Sequence, residues 1–312
     1  MQRSKLAPEG QGFRFSCSWF YDSIIYLYND YMKHENIVAV SENAEAEKPD
    51  FVKEVESFDM NNLSPENVEF MTNVIQGYFL DNFPVEPQLV NELAGRIEIV
   101  DEDDDDDVDN DGPVDKAGRY DAESKKIIID RSKHETMGDL FNTMFHESLH
   151  YVSIGAGAGL KGVFKRSDEI DEDDELFQLM RCGGISLMEG TTHMITLSSV
   201  VGDMGFDDCE HMDGYSVERS IAKKIWWSMP EPIDAMYDAY FKTSLESIGD
   251  RIDKMFGHNA FAGCLINIGF ITNEVNRITD EEEVDEEALA EIAKDIERAV
   301  KAYVERLQSS AD

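Results

Sequence analysis

Basic residues are scarce in this chain. Its 312 residues carry 28 Lys and Arg against 66 Asp and Glu, a formal net charge of −38. So acidic a surface repels nucleic-acid phosphates and anionic lipid headgroups, which argues against nucleic-acid or membrane-surface partners. It fits a very soluble or salt-adapted protein instead. Cysteine is scarce too: Cys17, Cys182, Cys209 and Cys264 are widely spaced, with no C-x-x-C pair. That argues against a disulfide framework and a clustered-thiolate zinc or redox site, and leaves buried free thiols as the reading. Long apolar runs are missing, and none is long enough to span a bilayer. The aromatic stretch Phe13 to Tyr28 follows Arg3 and Lys5 but is interrupted by Asp22, and no small-residue cleavage site follows a clean apolar core. It reads as a mature amphipathic helix, and a cytoplasmic location is the default expectation.

What is present is ample apolar material, 42% of residues, enough for one large domain or two modest ones. The fold class expected is α+β, predominantly helical, with a small β-sheet ahead of a central helix. Three regions are expected: residues 1–95, helical and of unknown role; residues 96–278, the main domain with an acidic insertion at 101–115; and residues 279–312, an amphipathic helix. In the first, Ser64-Pro65-Glu66-Asn67 marks a helix start, with Ser64 as N-cap and Pro65 at the first helical position. That helix should run to about Asn82, and a second should follow Pro87. In the last region Leu289, Ile292, Ile296, Val300, Tyr303 and Leu307 form a narrow apolar stripe. Such a stripe packs on the domain or forms a dimer seam, so the chain is a monomer or a dimer through this helix.

The alternating stretch Arg96 to Val100 reads as a strand and runs straight into acids from Asp101 to Asp111. Within them Asp107, Asp109, Asp111, Gly112 and Asp115 fit a D-x-D-x-D-G-x-x-D calcium pattern. Position twelve of an EF-hand loop would be Gly118 rather than glutamate, so the expectation is a solvated acidic loop or, at most, a weak Ca²⁺ site. Residues 120–130 read as a turn feeding a second strand, Lys126 to Asp130. The glycine run Gly155-Ala-Gly-Ala-Gly159 follows a helix rather than a strand and is not G-x-x-x-x-G-K-[ST], so it reads as a helix stop.

Between these lies Phe145-His146-Glu147-Ser148-Leu149-His150-Tyr151, inside a segment from Glu135 to Val152 that reads as helical. It spells H-E-x-x-H. One helical turn separates His146 from His150, so both imidazoles point the same way and can hold two corners of a tetrahedral zinc site. Glu147 can take a proton from water activated there. A catalytic zinc needs a third protein ligand and one open position. The best candidate is Glu189, a carboxylate in the otherwise apolar helical stretch Ser186 to Thr196, where burial demands a partner. A salt bridge to Arg181 or Lys223 is the plainer explanation for it.

The sequence His146-Glu-x-x-His150, then a loop, then a helix bearing Glu189-Gly-x-Thr192, resembles the gluzincin branch of the zincin metallopeptidases over about residues 96–275. The resemblance implies one Zn²⁺ on His146, His150 and Glu189, with Glu147 as general base in peptide-bond hydrolysis of a peptide or protein substrate. It implies an edge strand for an extended substrate, at Lys126 to Asp130. It also implies an oxyanion donor, for which Tyr215 is the first candidate and His211 and His258 are rivals. His193 stands where some members carry an acidic residue four after the ligand glutamate; it is expected to support Glu189 from outside the coordination sphere or to replace it. A carboxylate-bridged di-iron bundle would need a second E-x-x-H, which the chain lacks. The alternative from another class is a non-enzymatic acidic helical interaction protein with an accidental or structural H-E-x-x-H.

Overall fold

The computed structural model describes residues 48–101, 117–155, 175–206, 216–227, 231–242, 249–251, 253–254 and 260–279. The aromatic N-terminal stretch, the acidic block around Asp107, Asp109 and Asp111, and nearly all of the 279–312 segment lie outside these residues. The described chain is mostly helical, with one three-stranded sheet.

Two short-range signals set the first helices. Helix α1 spans Asp50–Glu56 and buries Val52 and Val55. Helix α2 spans Pro65–Asn82, with Ser64 as its N-cap. The Asn67 amide donates to Ser64 Oγ at 3.2 Å and the Ser64 amide to Asn67 Oδ1 at 3.0 Å, so two orphan donors are satisfied reciprocally. Met71, Ile75 and Phe79 fall at helical spacing on its buried face. Helix α3, Pro87–Glu92, follows with proline in its first turn.

Strands β1 (Ile97–Val100), β2 (Gly118–Asp121) and β3 (Lys126–Asp130) form the sheet in the order β1-β3-β2. β1 runs parallel to β3, and β2 antiparallel to it. A tight turn joins β2 to β3. In it Asp121 Oδ1 accepts the Glu123 amide at 2.9 Å and Asp121 Oδ2 accepts the Ser124 hydroxyl at 2.6 Å. The expectation that Lys126 to Asp130 is an edge strand is therefore corrected: β3 is the central strand. The reason is pairing: β3 carries ladder hydrogen bonds on both edges, Ile127 and Ile129 facing Ile97 and Ile99 of β1 on one side and Tyr120 and Gly118 of β2 on the other. The edge beside the motif helix is β2, which carries one large apolar side chain, Tyr120, and so lacked the alternation that betrays a strand.

Helix α4, Met137–Gly155, carries the motif. Thr136 caps it: the Asp139 amide donates to Thr136 Oγ1 at 3.1 Å, and the Thr136 hydroxyl donates to Asp139 Oδ2 at 2.9 Å. It ends at Gly155, where the glycine run begins. Leu140, Phe141, Met144, Phe145, Leu149, Tyr151 and Val152 are all buried, so α4 lies at the centre of the core with the sheet on one side and α2 on another. The α2 ring of Phe79 meets Phe145 edge-on at 4.9 Å, next to His146. Residues 50–95 thus share one core with the motif helix.

Helix α5 spans Glu175–Leu197 and continues as a π-helical turn, Ser198–Asp203. Helices α6 (Ser216–Trp227), α7 (Pro232–Phe241) and α8 (Ala260–Thr279) complete the described fold. Among the described residues no helix is long and apolar enough to cross a membrane. α5 and α8 pack backbone to backbone. A methyl group on Gly183 would overlap the Leu265 carbonyl, and one on Gly269 the Leu179 carbonyl. Main chain cannot rotate away as a side chain can, so Gly183→Ala should lower stability by about 1–3 kcal/mol, the usual cost of overpacking. Urea unfolding followed by circular dichroism measures it; an unchanged midpoint would refute the close packing.

Candidate metal centre

His146 and His150 lie one turn apart on α4, 6% and 5% exposed. Their rings sit 4.9 Å apart, centroid to centroid. Glu189 approaches from α5. Its Oε2 lies 3.3 Å from His146 Nε2 and 3.2 Å from His150 Nε2, and the two nitrogens are 3.2 Å from each other.

This triangle tests whether the donors fit a metal. Hydrogen bonds alone cannot close it. If both imidazoles carry their proton on Nε2 to reach the carboxylate, the two N–H groups face one another; if one is bare, it loses its bond to Glu189. A tetrahedral ion with bonds of about 2.0–2.1 Å places its ligand atoms about 3.3–3.4 Å apart. The observed edges match that spacing, and two nitrogens with one carboxylate oxygen are zinc-type donors. The residues present fit the ion.

Electrostatics agree. Burial pushes the Glu189 carboxyl up, but the charge of His150 and hydrogen bonds from both imidazoles pull harder, and the group is held well below the usual carboxylate range. The carboxylate meets imidazoles, not Arg181 or Lys223, both of which are exposed.

Glu147 is 8% exposed, and its carboxylate lies within 4.8 Å of the ligand nitrogens of both histidines. β2 runs over it. A Cβ on Gly118 would stand 2.5 Å from Thr143 Cγ2 and 3.2 Å from Glu147 Cγ. Gly118 therefore lets the edge strand lie directly on the turn that carries Glu147. From the sequence Gly118 is notable only as the residue that breaks the calcium pattern, although a glycine in a strand signals a close approach.

His193 is 4% exposed, one turn beyond Glu189, and its ring centroid is 6.3 Å from that of His146. It borders the triangle and is not one of its corners. Tyr215, His211 and His258 lie outside the described residues, as do Asp107, Asp109 and Asp111. Comparison with known proteins gives no match: no family model fits the chain, and no curated protein or solved structure is similar to it.

Gly118→Ala should force β2 and the Glu147 turn apart and lower stability by about 1–3 kcal/mol. Thr143→Ala removes the nearest obstacle, so the double variant should recover part of the loss. Thermal unfolding of the two single variants and the pair decides it; strictly additive losses would mean that the two sites do not touch.

Proposed function

We propose that the protein is a zinc-dependent peptidase of the gluzincin type. The observation that carries the reading is the triangle of His146, His150 and Glu189 with Glu147 beside it. Two imidazoles and one carboxylate make a three-ligand set that leaves a fourth position open.

Each residue of the chain has a separate task. His146, His150 and Glu189 would hold the ion. Bound there, zinc would act as a Lewis acid on the scissile carbonyl and lower the pKa of the attacking water. Glu147 would take a proton from the attacking water and pass it to the leaving amine. The core around α4 excludes bulk water and strengthens each charge interaction at the site.

β2 supplies the substrate edge. The Asp130 amide donates to the Ala117 carbonyl at 3.0 Å, so Ala117, Arg119 and Asp121 turn their main-chain groups toward β3. By alternation Gly118 and Tyr120 turn theirs outward, above Glu147. An extended peptide pairing with those two residues would run along β2, beside Glu147.

The test is metal content by plasma mass spectrometry, wild type beside His146→Ala, followed by a peptide-library screen. About one zinc per chain, lost in the variant, is expected. Glu147→Gln should keep the zinc and lower turnover by about 10²–10⁴, the usual contribution of a general base. No zinc in wild type after reconstitution would sink the reading and favour a non-enzymatic acidic interaction protein.

A further inference from the structure

The segment Glu189-Gly190-Thr191-Thr192 is more than a carrier for one carboxylate. A Cβ on Gly190 would overlap the Glu218 carbonyl, so the first turn of α6 lies against the ligand's own neighbour. Thr191 Oγ1 accepts the indole N–H of Trp226, at the end of α6, at 3.0 Å. Thr192 Oγ1 meets the Tyr240 hydroxyl, on α7, at 2.6 Å.

Tyr240 differs from Trp226 in reaching a second helix. Its hydroxyl also lies beside Ser153 on α4. Ser153 lies one turn past His150, whose carbonyl accepts its hydroxyl at 3.2 Å. Thr192 likewise lies one turn past Glu189. The phenol oxygen thus stands between the turns that follow two corners of the triangle, bonded to one of them.

Proton counting gives the chain a direction. Thr192 donates to the Met188 carbonyl at 2.9 Å, so it accepts from Tyr240. Ser153 gives its one proton to the His150 carbonyl, so the hydrogen bond of the phenol is the one to Thr192. All three residues are buried, Tyr240 at 7%, Ser153 at 1% and Thr192 at 0% exposure, so water does not readily substitute for a missing link. The hydroxyl is also close enough to feel the charges of Glu189 and Glu147.

We infer that Tyr240 is a positioning residue for the metal centre: its hydroxyl, donating to Thr192 and lying beside Ser153, holds the Glu189 turn against the His150 turn. It acts through the ligands and touches neither ion nor substrate. The inference rests on the zinc reading above. It places the control of ligand spacing on α7, a helix that supplies no ligand.

The experiment measures zinc affinity by chelator competition, and the visible spectrum of the Co²⁺-substituted protein, for wild type, Tyr240→Phe and Tyr78→Phe. Tyr78 makes the control because its hydroxyl bonds Asp203 at 2.5 Å, a contact that ties α2 to the π-helical turn and links no ligand turns. Tyr240→Phe should weaken zinc binding on the order of tenfold, as outer-shell losses do, and alter the cobalt spectrum. Tyr78→Phe should lower the melting temperature and leave both readouts unchanged. If Tyr240→Phe does not fold, Thr192→Val removes the same link from the other side and should give the same loss. Wild-type affinity and spectrum in a folded Tyr240→Phe or Thr192→Val, with only the melting temperature lowered, would overturn the positioning role and leave the zinc reading standing. A wild type that binds no zinc would sink both.

Discussion

Three donor atoms from two helices meet within 3.3 Å of one another in the interior of this protein. That convergence cannot be stable by hydrogen bonding alone, and it constrains what surrounds it. Helix α4 must present both imidazoles on one face while its other faces are sealed. Helix α5 must bring a carboxylate out of water to within contact of them. The rest of the fold can be understood as the means by which these two helices are held at that distance. Phe79 and Phe145 lock α4 from the α2 side, the sheet covers it from another, and α6, α7 and α8 brace α5.

The bracing is unusual in its directness. Gly190, Thr191 and Thr192 follow Glu189 without a gap, and each meets a different partner: the α6 backbone, Trp226 and Tyr240. A buried carboxylate costs several kcal/mol unless it is paired and its orientation fixed. Anchoring the three residues after Glu189 leaves the backbone that carries it little freedom. The same reasoning explains Gly118, where a side chain of any size would separate the edge strand from the general-base candidate.

Much of this was legible in the sequence because it is local. The Ser64 cap, the start at Pro65 and the end near Asn82 follow from capping chemistry and appear in the structure as read. The stretch read as a strand from Arg96 to Val100 holds β1, Ile97–Val100, and the motif helix ends at the glycine run. Burial of a lone carboxylate in an apolar helix pointed to Glu189, which does face His146 and His150. What sequence could not carry is the order of strands. β3 reads as an edge only if β2 is not seen, and the residues Gly118-Arg-Tyr-Asp have too little alternation to announce a strand. The Tyr240 link was equally hidden. A tyrosine among Met236, Tyr237 and Phe241 reads as core, and only tertiary placement shows its hydroxyl against Thr192.

The charge balance around the triangle bears on why a cation would fit there. Glu147 and Glu189 are both within reach of the two imidazoles. Glu218, in the first turn of α6, is also partly buried; burial first, and then the charge of Glu189, push its carboxyl up. Further negative charge near Glu189 is thus already disfavoured. A divalent ion in the triangle would balance Glu147 and Glu189 together and satisfy all three donors at once. Its binding energy would then become part of the folding energy, since the unfolded chain holds no such site. The acidic surface works in the same direction from outside, raising the local concentration of cations while the core keeps the ligands in place.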